Sequence, residues 1–181
     1  MNKKEFVYQP AAKGGTQSFG YHGHKSACLF LSDAPLVTKL TRRLFDMINM
    51  LNDAYWRFEM FADFDRPQAT MGRLFGHGEA GYLLNQYGPG DKLDCHVDYM
   101  PEHAVVSARK LAFVMQMTRP DLYVGGDLKL RSGDKKLSFY RGAGAAMLFP
   151  SFIQHEVRFV REGVRRTMTS FLFDADGRRF Q

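Results

Sequence analysis

The chain has 181 residues, 45% of them hydrophobic, a length that fits one well-filled domain and not two. No apolar run approaches the roughly 18 residues a membrane-spanning helix needs, and the charged start Met1-Asn2-Lys3-Lys4-Glu5 leads into no secretory segment, so the expectation is a cytoplasmic protein. Two cysteines are too few for a disulfide framework, and a formal charge of +6 permits nucleic-acid contact, although its Lys and Arg are scattered among acids.

Residues 1–26 are polar, with Gly, Lys and His, and read as an irregular lead-in. Ser26–Leu31 is a short apolar run. Ser32-Asp33-Ala34-Pro35 then carries the signs of a helix start: a capping side-chain oxygen and a proline suited to the first turn. Val37, Leu40, Leu44, Ile48 and Leu51 recur at helical spacing, which predicts an amphipathic helix over 34–52 with Lys39, Arg42, Arg43 and Asp46 on its polar face.

From residue 55 the period changes to two. Trp56, Phe58 and Met60 alternate with Arg57 and Glu59, which predicts a strand. Further strands are expected over 81–87, 92–98, 111–118, 127–130, 136–140, 145–149, 155–160 and 167–173, separated by turn signals such as Gly88-Pro89-Gly90-Asp91, Gly125-Gly126-Asp127 and Glu162-Gly163. The 14% aromatic content suits pleated surfaces. Many short strands at this spacing indicate a barrel or sandwich with the helix packed outside. Cys28 and Cys95 are expected as reduced thiols among apolar neighbours, and 101–107 as a mobile loop.

Chemistry concentrates in Leu93-Asp94-Cys95-His96-Val97-Asp98-Tyr99. Alternate side chains of a strand share a face, so His96 and Asp98 point together. A His-x-Asp pair is by itself a common surface feature. A second histidine, His155, supplies the third leg, and two His with one carboxylate on one face of an octahedral ion leave three positions open. Without a thiolate, such a site favours iron(II) or a similar ion. Arg165, ten residues beyond His155 and after a glycine turn, can return beside the metal, where its planar fork suits a carboxylate. Other candidates are weaker. His22, His24, His77 and His103 read as solvated or loop residues, and Gly142-Ala143-Gly144 lacks the third glycine of a dinucleotide loop, Met147 standing in its place.

The series Tyr87-Gly88-Pro89-Gly90, His96-Val97-Asp98, Arg109-Lys110-Leu111-Ala112, Gly125-Gly126-Asp127-Leu128, Phe149-Pro150-Ser151 and His155-x-Val157-x-x-Val160-x-x-Gly163-x-Arg165 resembles the prolyl 4-hydroxylase-like 2-oxoglutarate oxygenases, and within them the PKHD-type hydroxylases. Leu51–Phe58 echoes the family more weakly. The resemblance implies a mainly β fold, a double-stranded β-helix (the cupin-like jelly roll) with one or more N-terminal supporting helices. It implies one domain over 1–181, with lead-in and supporting helix in 1–60 and the β core in 80–174. It further implies that His96, Asp98 and His155 are the catalytic metal ligands for Fe(II), and that Arg165, assisted by Tyr87 and Thr167, holds the distal carboxylate of 2-oxoglutarate. O2 would be the second cosubstrate, with ascorbate in support. The expected reaction is hydroxylation of an unactivated C–H bond, on a protein or peptide residue such as proline. Two alternatives remain open at this point: an oxygenase acting on a nucleobase or nucleic acid, and a non-catalytic cupin-like metal-binding protein.

Overall fold

The computed structural model describes residues 25–30, 35–58, 81–99, 101, 109–133 and 135–173. Strand β1 (Lys25–Phe30) precedes helix α1 (Pro35–Tyr55), and ten strands follow: β2 (Gly81–Tyr87), β3 (Leu93–His96), β4 (Arg109–Gln116), β5 (Tyr123–Gly125), β6 (Leu128–Ser132), β7 (Lys135–Ser138), β8 (Ala146–Pro150), β9 (Gln154–Val157), β10 (Val160–Gly163) and β11 (Arg165–Phe173). They form a five-stranded sheet in the order β1-β2-β11-β4-β8 and a four-stranded sheet in the order β3-β9-β6-β7; β5 and β10 make a two-stranded ribbon. All pairings are antiparallel. The expected double-stranded β-helix is the architecture observed. No described helix is long and apolar enough to cross a membrane.

Strands β4 and β11 of the larger sheet are buried on both faces, which explains why they read as nearly continuous apolar runs. On β4, Leu111 and Phe113 join Leu44 and Ile48 of α1, Met168 and Leu172 in one cluster. Ala112 and Val114 face the other way, toward Leu128, Leu130, Phe149, Val157 and Phe171 between the sheets. Alternation on β11 therefore sends even-numbered residues toward the helix. Arg165, Thr167, Phe171 and Phe173 face the interior of the sandwich.

Helix α1 is as expected in kind, with Leu44 and Ile48 buried and Lys39, Arg42, Arg43 and Asp46 exposed. It runs to Tyr55, three residues beyond the predicted end. There the strand expected over 56–60 is corrected for 56–58: the amides of Trp56 and Arg57 both donate to the Asn52 carbonyl, Arg57 turns left-handed at φ 55°, and the Asn52 side chain bonds both backbone groups of Phe58. A helix cap there overrides the alternating pattern. Residues 59–60 lie outside the described residues, as do residues 1–24, His22, His24, His77, His103 and the 102–107 loop segment. Cys95 is exposed and not packed among apolar neighbours; the Cys28 side chain is not described.

The β5–β10 ribbon was not expected from the sequence. It depends on two glycines. A Cβ at Gly163 (φ 72°) would stand 2.1 Å from the Leu122 carbonyl oxygen, and one at Gly125 (φ 81°) 2.3 Å from that of Phe159. Gly163→Ala is therefore expected to destabilise the protein by about 1–3 kcal/mol, read as a fall in the urea midpoint at unchanged slope. An unchanged midpoint would mean that the ribbon relaxes freely.

Candidate active site

His96 closes β3 and His155 lies in β9, directly opposite it in the four-stranded sheet. Their rings stand 4.2 Å apart between centroids, tilted by 54°. Asp98 does not lie on a strand, as its pairing with His96 had suggested. β3 ends at His96, and Asp98 sits in a bend two residues on. What fixes it is Ser151, fully buried at the end of β8: its carbonyl accepts the amides of Asp98 and Tyr99, and its hydroxyl donates to the Arg109 carbonyl at 2.6 Å. Nη1 of Arg109 reaches the Asp98 carbonyl at 3.4 Å, its guanidinium stacked 3.8 Å above the Phe171 ring.

The three side chains converge. Nε2 of His96 lies 3.6 Å from Oδ1 of Asp98, Nε2 of His155 lies 3.4 Å from Oδ2, and one donor atom from each residue lies within 4.8 Å of the other two. These gaps are long for hydrogen bonds. They are close to the separation of roughly 3 Å between donors that each sit about 2.1 Å from one ion on adjacent corners. Nδ1 of His96 lies 2.7 Å from the Asp94 carbonyl oxygen, and Nδ1 of His155 lies 3.0 Å from that of Ile153. A carbonyl can only accept, so each ring carries its proton on Nδ1 and presents the Nε2 lone pair. The donor set thus fits a divalent metal with an imidazole, carboxylate, imidazole face.

Burial opposes charge on all three groups. At His96 the hydrogen bond and charge of Asp98 outweigh it and raise the imidazole above its ordinary value. At Asp98 the charge of His155, with His96 and Arg109, likewise prevails and holds the carboxyl down. At His155 burial wins, reinforced by His96, and the ring is held below its ordinary value. Phe149 closes edge-on against His155 at 4.9 Å. The interior is therefore apolar on the His155 side.

Arg165 is 1% exposed, the largest fully buried side chain among the described residues. It opens β11 opposite Tyr87 of β2, and its Cζ lies 5.3 Å from the centre of the Tyr87 ring. Burial lowers its pKa; Tyr87 and Tyr123 partly offset this. No ion pair to Arg165 occurs among the described residues, and its Nη1 is buried without a hydrogen-bond partner. Gly126 makes room for it, since a Cβ there would meet Arg165 Cδ at 3.0 Å and Val160 Cγ2 at 2.8 Å. Thr167 is buried on the same face, bracketed by Asn85 of β2 and Gln116 of β4. Arg166 points outward to Gln86, as alternation requires.

Sequence reasoning missed Ser151 as the clamp on Asp98, and Tyr123 near Arg165 with Gln116 and Arg141 at its hydroxyl. Only Ser151 left a signal, in Phe149-Pro150-Ser151. The others come from separate strands and loops and meet only in the fold.

A jelly roll that brings two histidines and one carboxylate to one face has the donor set of the non-haem iron(II) oxygenases. The family model described as the 2OG-Fe(II) oxygenase superfamily matches residues 82–173, about half of the chain, and the chain belongs to that family. A PKHD-type hydroxylase of Picosynechococcus sp. is 31% identical over 85 residues, covering 46% of this chain and 37% of its own. The chain thus spans less than half the length of that relative. Among solved structures, a Pseudomonas putida prolyl-4-hydroxylase superposes with a TM-score of 0.59 at 15% identity, covering 84% of this chain and 72% of that one. A Trichoplax adhaerens prolyl hydroxylase, in complex with a hypoxia inducible factor oxygen degradation domain peptide fragment, gives 0.63 at 17% identity, covering 86% and 65%. These two likenesses bear on the fold.

Proposed function

We propose that the protein is an Fe(II)- and 2-oxoglutarate-dependent dioxygenase that hydroxylates an unactivated C–H bond of a protein or peptide residue, with proline the first candidate. The observation that carries this reading is the pair of imidazoles tied through Nδ1 to backbone carbonyls, with both Nε2 atoms turned to the Asp98 carboxylate. His96, Asp98 and His155 would hold the iron, and Arg165 would anchor the distal carboxylate of 2-oxoglutarate. When bound, iron with 2-oxoglutarate and O2 supplies the oxidising power for C–H hydroxylation, with succinate and carbon dioxide as coproducts, and ascorbate would sustain the reduced metal. The chain's own residues do the rest. Ser151 and Arg109 hold the Asp98 loop, Phe149 keeps one side of the site dry, and the two carbonyls keep the histidine rings in one orientation and tautomer.

A peptide substrate is favoured over a nucleic acid by the charge arrangement. Many described basic side chains are paired: Lys92 with Asp94, Arg119 with Asp121, Arg141 with Asp127, and Arg131 and Arg158 both with Glu156. Such pairing intersperses acids among these basic groups, where a dedicated phosphate-binding face would present them unopposed. Incubation with Fe(II), ascorbate, 2-oxoglutarate and a panel of proline-containing peptides is expected to give succinate and a peptide heavier by one oxygen atom. Oxygen gained instead by an oligonucleotide panel would transfer the substrate class, and no succinate in any mixture would remove the activity.

A further inference from the structure

Arg165 has polar neighbours to which the reading above gives no role. Tyr123 opens β5 and is buried. Its hydroxyl oxygen accepts hydrogen bonds from Nε2 of Gln116 at 2.8 Å and from Nε of Arg141 at 3.2 Å. Arg141 also donates through Nη2 to the Tyr123 carbonyl at 3.2 Å, lies 4.4 Å over the ring, and is steadied by Asp127 at 3.6 Å. Tyr123 and Arg165 line the same small space over Gly126, where a Cβ would stand 3.0 Å from Arg165 Cδ and 3.7 Å from Tyr123 Cε2.

The groups so placed around the Tyr123 hydroxyl are donors. A phenol oxygen has two lone pairs and one proton. Gln116 and Arg141 use the lone pairs, so the proton is left to give. Nη1 of Arg165, buried and without a partner, has a proton to give in the same region. Two such donors, one on a permanent cation, are satisfied together by an anionic acceptor with several lone pairs, and a carboxylate is the simplest.

We propose that Tyr123 is a second binding residue for the distal carboxylate of a five-carbon 2-oxo diacid, donating its hydroxyl proton beside Arg165, and that Gln116 and Arg141 are positioning residues that aim that hydroxyl. The proposal rests on the assignment of Arg165 to that carboxylate. It makes selection of a diacid over a monoacid a joint property of β5, β11 and the loop carrying Arg141.

The test is calorimetric titration of Mn(II)-loaded protein with 2-oxoglutarate and with 2-oxopentanoate, which has the same carbon chain without the distal carboxylate. Tyr123→Phe is expected to weaken 2-oxoglutarate binding about tenfold and to leave 2-oxopentanoate and Mn(II) binding unchanged. Arg141→Gln, at a partly exposed residue whose replacement spares the core, should shift the same ratio in the same direction by a smaller factor. In turnover, the KM for 2-oxoglutarate should rise in both variants by a larger factor than kcat falls. Wild-type affinity for both acids, or equal weakening of both, would overturn the proposal. Arg165→Met separates the two levels. If that variant loses the preference for the diacid while Tyr123→Phe keeps it, only the role of Tyr123 fails. If Arg165→Met keeps the preference, the assignment of Arg165 fails first.

Discussion

Replacing His155 with alanine is expected to lower Mn(II) affinity by more than about a hundredfold and to abolish succinate formation. His155 and His96 flank the Asp98 carboxylate, each imidazole nitrogen facing a different oxygen at 3.4 and 3.6 Å. Without His155 the remaining pair holds an ion by two donors. Alanine also leaves a void against Phe149, which packs on the ring at 4.9 Å. His155→Gln, nearer in volume, separates packing from ligation. Both variants should lose Mn(II) binding, monitored by electron paramagnetic resonance, and only the alanine variant should also melt earlier. Wild-type metal affinity in either would remove His155 from the metal face.

The second large effect is expected at Arg165, and in two opposite directions. Arg165→Met should raise the KM for 2-oxoglutarate by at least about thirtyfold, because a buried, charge-assisted contact to a carboxylate is worth roughly 2–5 kcal/mol when one partner is removed. The ligand-free protein should at the same time lose nothing in stability, or gain up to about 1–4 kcal/mol, because an apolar side chain of similar volume replaces a desolvated charge. Arg165 has no ion pair among the described residues, and its Nη1 is unpartnered, so that cost is only partly compensated in the free protein. Melting curves with and without 2-oxoglutarate read both effects. The ligand should raise the wild-type midpoint and leave that of Arg165→Met unmoved. A variant that is markedly less stable and still responds to 2-oxoglutarate would place the guanidinium in a purely structural role.

Much of the fold was legible in local patterns. The 3.6-residue period of Leu44 and Ile48 marked the buried face of α1, and the short apolar runs between glycine turns marked the strands, because each pattern reflects which side of an element meets water. Patterns misled where a local hydrogen bond outweighed them. The alternation over 56–58 reads as a strand, yet Asn52 captures Phe58 and ends the helix there instead. The β5–β10 ribbon escaped notice because β5 is only Tyr123–Gly125, too short to show a period.

The sequence alone determined which residue types were available for the chemistry: two histidines, one carboxylate and an arginine at family spacing, set on β-rich segments. Tertiary structure alone decided how they face one another. Asp98 lies past the end of its strand and reaches the histidines only because the Ser151 carbonyl holds its loop. The Tyr123 hydroxyl meets Gln116 and Arg141 through hydrogen bonds between residues 7 and 18 positions apart. Periodicity reports the environment of one element at a time, whereas orienting a proton or a lone pair requires atoms from several elements placed within about 3 Å.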